Sequence, residues 1–425
     1  MSSVRLPRSS GWYLAVPAVT FVVTVAAAGV RSTPTMFIQS LEFEFGWSAA
    51  TIAVAIALGI ALFGLMGPFA ASLMNRYGVR RVVAVALALL AVSSFASIRM
   101  TAAWQLILLW GLASGIGTGA IGLALGATIA NRWFERRRGM VMGIFSAANA
   151  TGQLVFLPLF AHIIKTDGWR PCAAIVGALC LALIPLFVSV ARERPRDLGL
   201  PRFGATAVEP PVAPPKNPFA SALRNLRDGT RSRDFWLLAG TFAICGASTN
   251  GLVGTALVPA CGDHGIPITT AANLLAAMGI FDLIGTTASG WLSDRYDSRL
   301  LLFAYYGLRG LSLLALPLAF SAQAFGLPVF AVFYGLDWIA TVPPTLKLAN
   351  AAFGVERGAV MFAWIAAAHQ LGASVAAFGA GWVRTALGTY DSAFVVSGVL
   401  CLFAAVLALL VARGRSAAVI PATVG

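Results

Sequence analysis

Charge is what this chain of 425 residues has least of: 11% are Asp, Glu, Lys or Arg, against 59% hydrophobic, and the mean hydropathy is +0.83. A soluble domain of that length needs far more charge on its surface, so the soluble classes are excluded. Lysine is scarcer still. Lys165, Lys216 and Lys347 are the three present, none follows a glycine-rich phosphate cradle, and no G-x-x-x-x-G-K-[ST] run occurs, which argues against ATP binding. The five cysteines (Cys172, Cys180, Cys245, Cys261, Cys401) lie within or at the ends of apolar runs without metal-ligand spacing. They read as packing residues, and neither a disulfide framework nor a metal site is expected. No nucleophile, acid and base set can be assembled. The chain therefore does not read as an enzyme, and no cofactor is expected.

What is present is long apolar sequence. Runs of about 20 apolar residues fall near 12–41, 48–74, 82–99, 103–130, 138–164, 169–191, 234–262, 270–293, 300–320, 326–349, 357–384 and 389–411. The expectation is an all-α membrane protein with twelve spans: a six-helix half over 1–191, a linker over 192–233 and a second six-helix half over 234–425. Residues 1–11 are too short to hold a cleavable signal, so the first span reads as retained.

The few charges are unevenly placed. With the N-terminus inside, the inner segments hold Arg5, Arg8, Arg76, Arg80, Arg81, the Arg132 to Arg138 cluster, the linker arginines, Arg295, Arg299, Arg357, Arg413 and Arg415, while the outside keeps Arg99, Lys165, Arg170 and Arg384. That bias sets both termini in the cytoplasm, as expected of a multi-pass protein of a bacterial inner membrane. The net charge of +14 is then a topology signal and does not imply a nucleic-acid partner. In the linker, Glu209 to Pro215 is a stiff proline-rich spacer. Asn217-Pro218 starts a helix with Phe219, Leu223 and Leu226 at helical spacing, so an amphipathic helix is expected on the inner membrane surface, with Arg224 and Arg227 toward the headgroups.

The chain also repeats itself at an offset of 219 residues, without a gap from about residue 46 to residue 142. Gly46 pairs with Gly265, Thr51 with Thr270, Arg76-Tyr77 with Arg295-Tyr296, Arg80 with Arg299, and Asn131, Phe134, Arg138, Gly139 and Met142 with Asn350, Phe353, Arg357, Gly358 and Met361. A parallel repeat of hydrophobic bundles implies two halves with a binding site between them.

The loop Gly67 to Arg81 and its mate Ser289 to Arg299 resemble the cytoplasmic signature of the major facilitator superfamily, a glycine followed by Asp-Arg-x-Gly-x-Arg. The second loop keeps the acid as Asp294, and the first has Asn75 in its place. The resemblance gives Asn75, Arg76, Arg80, Asp294, Arg295 and Arg299 a gating role. An acid at a helix N-terminus is worth about 0.3–1 kcal/mol, so Asn75 predicts a slightly weaker inner gate. Gly29-Val-Arg31-Ser32, Phe45-Gly46-Trp47-Ser48, Arg194-Pro-Arg-Asp197-Leu-Gly199-Leu-Pro201 and Phe281-Asp282 resemble the monocarboxylate transporter branch and its bacterial relatives. That likeness implies proton-linked movement of small organic acids, with a basic group at Arg31 and an acid at Asp282. Animal-type members carry Asp-x-x-x-Arg in the eighth span, and here the arginine position is Thr286.

Ionisable groups in mid-span cost about 2.5–3.5 kcal/mol each at the bilayer centre on insertion scales, so they should face a wet interior. Arg31, Asp282, Arg309, Asp337 and His369 qualify. Arg31 shares a face with Thr24 and Thr35, and Pro34 deprives the Val30 carbonyl of its donor, which reads as a polar stripe on a broken helix. A guanidinium matches a carboxylate bidentately and stays charged, so Arg31 is the candidate anion site, with Asn250, its repeat mate, and Thr286 and Gln370 as neutral contacts. A structural partner for a buried acid is the alternative. Asp282, His369 and Asp337 are the candidates for proton coupling, each with a packing or ion-pair alternative. Pro343-Pro344 should free the Ile339 and Ala340 carbonyls and bend the tenth span, while Arg309 reads as half of a structural ion pair. Asn149 and Gln153 are weaker cavity candidates, and the glycines from Gly111 to Gly126 read as a close-packing face. The expected function is secondary transport of a small organic carboxylate with a proton by a monomer in the lipid bilayer. Proton-driven efflux of amphipathic compounds is the alternative, and a non-transporting sensor a lesser one.

Overall fold

A computed structural model describes residues 11–136, 138–208, 218–321 and 325–412. Among them eleven helices are long and apolar enough to cross a membrane. The first half comprises α1 (Trp12–Phe45), α2 (Ala49–Tyr77), α3 (Val79–Ser97), α4 (Ala103–Trp133), α5 (Arg138–Asp167) and α6 (Trp169–Val190). The 30-residue α5 stands where the fifth span was expected and supplies the twelfth long helix. After the linker helix α7 (Pro218–Gly229) come α8 (Arg233–Asp263), α9 (Ile268–Arg295), α10 (Ser298–Ser321), α11 (Gly326–Phe353), α12 (Val355–Leu387) and α13 (Asp391–Leu409). The linker stretch Glu209 to Asn217 lies outside the described residues, as do Arg5, Arg8, Arg413 and Arg415 and the side chains of Asn149, Gln153, Phe219 and Arg357.

The sequence explains where helices end. Gly46 and Gly388 terminate α1 and α12 at φ 66° and 80°, a left-handed cap that glycine adopts without a Cβ clash. Ser48 then starts α2 by accepting the Thr51 N–H at 3.2 Å. One expectation fails here: α1 runs unbroken through Pro34. The hydroxyls of Ser32 and Thr33 bond the carbonyls of Ala28 and Gly29 at 3.1 and 2.8 Å, so polar side chains support this stretch of the helix.

Glycine decides which helices meet. A Cβ added to Gly111, Gly115 or Gly119 would lie 2.8–3.0 Å from backbone oxygens of Ala55, Gly59 and Phe63, so the glycine face of α4 seats directly on α2. The two halves meet along two further pairs, α2 against α12 and α5 against α9. At the linker face Phe69 of α2 stands edge-on to Trp364 of α12, 6.0 Å between centroids. At the opposite face the Ala50 N–H donates to Thr385 Oγ1 at 3.1 Å and Gly262 of α8 abuts Gln39 of α1. Leu226 and Gly229 of α7 pack on the cluster holding Phe69, Met361 and Trp364, so the linker helix docks across both halves.

Candidate functional site

Between the halves lie two adjacent cavities that share Arg31, Thr118, Asn250 and Trp338 as their common wall. The smaller, about 50 Å³, lies on the side away from the linker, where Thr35, Ser114 and Thr255 stand among apolar neighbours such as Ile56, Ile60 and Trp110. The larger, about 170 Å³, opens on the linker side of Arg31 and includes Thr24, His369 and Gln370. The helical stripe read from the sequence is therefore real: Thr24 and Thr35 flank Arg31 along α1, one in each cavity. The Arg31 guanidinium stands over the Phe63 ring at 5.1 Å.

Asn250 reaches the cavity from a π-helical stretch of α8, Ala247–Val253, where the extra residue per turn widens the helix. His369 and Gln370 come from α12, and the His369 ring lies 4.6 Å from that of Phe242. Of the residues chosen from the sequence, Arg31, Asn250, His369 and Gln370 thus converge. Asp282, Thr286 and Asp337 line neither cavity.

Those three and Arg309 instead surround a break in α11, which is helical over Gly326–Asp337 and again over Val342–Phe353. Pro343 and Pro344 lack the N–H groups that would bond the Ile339 and Ala340 carbonyls. Ile339 O accepts from Val342 N at 2.9 Å, and Ala340 O accepts from Ser289 Oγ of α9. Asp282 Oδ1 accepts both the Ile339 N–H and the Thr286 hydroxyl at 2.9 Å. Arg309, 1% exposed, pairs with Asp337 Oδ2 at 2.7 Å, donates to the carbonyls of Asp337 and Trp338, and reaches Cys245 Sγ at 2.8 Å. Cys245 in turn lies 3.2 Å from Thr341 Oγ1. Three helices thus satisfy the broken segment, and the break holds Trp338 against the cavity. The reading of Thr286 as a direct cavity contact and of Asp337 as a free proton carrier is corrected for this conformation: Thr286 is spent on Asp282 and Asp337 on Arg309.

At the linker face, Glu193 was missed. Its carboxylate accepts the N–H groups of Val79 and Arg80 at 2.7 and 3.0 Å and pairs with Arg132 at 3.1 Å, while Arg132 also donates to Asn75 Oδ1 at 2.7 Å. The charge absent at position 75 is supplied from beyond α6, at the N-terminus of α3. The inference from Asn75 alone was therefore incomplete. Arg80 further donates to the Val188 carbonyl, and Arg76 lies over the Tyr77 ring. In the second half Arg299 is held by Asp297 at 2.8 Å and donates to the carbonyls of Leu409 and Val411, Arg295 stacks on Trp291 at 4.0 Å, and Asp294 is exposed. Cys245 and Trp338 were also missed as polar and cavity groups. The proline pair was the available signal for the second.

Two pseudo-repeated bundles of membrane-length helices around an internal cavity that holds a fixed cation define a membrane transporter and not an enzyme. The profile of the Major Facilitator Superfamily matches residues 19–336 and 239–423, and the chain belongs to that family. Among curated relatives, it is 28% identical over 397 residues to Monocarboxylate transporter 13 of Rattus norvegicus, covering 92% of this chain and 87% of the relative. Monocarboxylate transporter 11 of Mus musculus is likewise 28% identical, over 92% and 85%. An uncharacterized MFS-type transporter of Bacillus subtilis, YcxA, is 25% identical over 77% of each chain. Among solved structures, a D-xylose-proton symporter superposes with a TM-score of 0.72 at 16% identity, over 95% of this chain and 98% of the symporter. A bacterial homologue of the lysosomal transporter Spinster gives 0.71 over 95% and 96%, also at 16% identity. These two likenesses establish the fold.

Proposed function

We propose that the chain moves a small organic carboxylate across the membrane by alternating access, coupled to a proton, with Arg31 binding the carboxylate. The observation behind this reading is the position of Arg31, on the wall common to both cavities and between the halves. A bound anion there stays on one cation while access changes from one cavity to the other. Asn250 and Gln370, both lining the larger cavity, supply neutral hydrogen bonds. The resemblance to monocarboxylate carriers supports the same class of cargo.

For the proton, Asp282 acts at one remove. Its charge decides how strongly it holds the Ile339 N–H, and therefore how firmly the break of α11 keeps Trp338 in place. Protonation would loosen that acceptor and let the second half repack around the cargo. His369 faces the cavity and relays the proton. Sidedness follows the basic bias: termini, linker and gating loops on the cytoplasmic side, with the Asp263–Arg384 pair, 2.6 Å, on the other. Exposed Arg224 and Arg227 of α7 would face lipid phosphates there.

The test is uptake of labelled mono- and dicarboxylates into proteoliposomes with and without an inward-acid gradient. Arg31→Ala should lower uptake at least about a hundredfold, the scale of losing a charge-assisted bidentate contact. Asp282→Asn should keep exchange of acid for acid and lose stimulation by the gradient. Wild-type uptake by Arg31→Ala would remove the site assignment.

A further inference from the structure

We infer that the cargo's body is an aromatic ring, so that the substrate class is an aryl monocarboxylate and not an acid of two or three carbons. This rests on the carboxylate reading of Arg31. The larger cavity is walled by five aromatic side chains from five helices: Phe63 of α2, Phe145 of α5, Phe242 of α8, Trp338 of α11 and Phe362 of α12. They come from both halves, so the chamber exists only when the halves are together. Phe242 sits 5.9 Å from Phe362 at 45° and 4.6 Å from the His369 ring at 50°. Such spacings are those at which aromatic groups attract beyond area alone, and a ring placed among them finds both faces and edges.

Size separates the two cavities by task. The one of about 50 Å³, with Thr35, Ser114, Thr118 and Thr255, suits a hydrated carboxylate head beside Arg31. The one of about 170 Å³ has room for a body that a two- or three-carbon acid does not possess. Such an acid would leave most of the apolar wall facing water or empty space, forfeiting the burial that a ring recovers.

A polar feature narrows the ring further. Gln370 lines the aromatic chamber, and its side-chain oxygen is buried without a hydrogen-bond partner among the described residues. A buried acceptor left unmade is costly, so a donor on the cargo itself, such as a phenol hydroxyl or an indole N–H, satisfies it.

The test measures binding of acetate, lactate, phenylacetate and 4-hydroxyphenylacetate to the purified full-length protein, followed by uptake in proteoliposomes. Phenylacetate should bind at least about tenfold more tightly than lactate, and 4-hydroxyphenylacetate more tightly again. Phe145→Leu keeps bulk and removes the ring, and should narrow the phenylacetate-to-lactate ratio. Gln370→Leu should bring 4-hydroxyphenylacetate and phenylacetate to the same affinity, and Arg31→Gln should weaken all four acids together. Lactate binding as tightly as phenylacetate overturns the aromatic inference and leaves the carboxylate reading standing. Phenylacetate binding that ignores Arg31→Gln but responds to Phe145→Leu overturns the carboxylate reading alone. No binding of any acid by folded protein overturns both.

Discussion

The two halves share a template, yet they put their buried charge to opposite uses. In the first, Arg31 looks into the cavity, and the positions matching Arg309, Asp337 and Asp282 at the repeat offset are Leu90, Thr118 and Phe63. In the second, the mate of Arg31 is neutral Asn250, and arginine and acids are turned inward to satisfy the broken α11. At the linker face the asymmetry reverses. The first half has the Arg132–Glu193–Asn75 network, whereas the corresponding residues of the second are Ala351, Ala412 and Asp294. After duplication, then, a bundle can keep its helix packing while its mid-membrane charges are reassigned: one half offers charge to a ligand, the other uses it to hold irregular backbone at membrane depth.

The comparison breaks most readily at Arg309. Arg309→Ala strands the Asp337 carboxylate and leaves the Trp338 carbonyl without its donor, and should cost about 3–5 kcal/mol of stability. Arg31→Ala, at a cavity wall, should cost no more than about 1 kcal/mol. Thermal unfolding of the two variants in detergent measures both; equal losses would show that Arg31 is as structural as Arg309. A smaller effect is expected at the glycine face. Gly115→Val places branched carbons against the Gly59 backbone and should destabilise by about 1–3 kcal/mol, read as reduced yield of monodisperse protein at fixed expression. The smallest effect belongs to the linker face. Glu193→Gln keeps the side chain's shape but puts an amide NH2 where a carboxylate oxygen accepted an N–H, and it loses the charge at the α3 N-terminus, a charge worth about 0.3–1 kcal/mol; it should shift the balance of inward and outward accessibility to a thiol probe in a salt-dependent way. Asn75→Asp should move that balance less than Glu193→Gln does, because Glu193 already pairs with Arg132.

Much of the architecture was legible because hydrophobic length, basic bias and the repeat are properties of residues in order. The span boundaries agree to within a few residues for most helices, and the glycine face of α4 was visible as spacing. Pro343-Pro344 announced the break of α11 and named the two carbonyls it would release. Arg31, Asn250, His369 and Gln370 line the cavities, as the rule that polar groups in apolar runs must face something wet led one to expect. Asp282 obeys the same rule but found a partner in backbone, with Thr286 donating to its carboxylate, since an unbonded N–H at a helix break is as strong a demand as a cavity. Sequence reasoning had no means of ranking those two demands. Glu193 escaped because it lies in a charged loop, where one acid among arginines looks like any other.

Order along the chain determined that this is a two-half bundle of membrane-spanning helices with too little charge for a soluble life and a cation in its first helix whose repeat mate is neutral. Which buried charges meet a ligand and which meet each other was decided only by tertiary packing. The reason is geometric: a helix fixes which face a residue occupies but not what stands opposite. Here the opposing surface, a cavity for α1 and a broken α11 for α9 and α10, is built from residues 28 to more than 300 positions away in the chain.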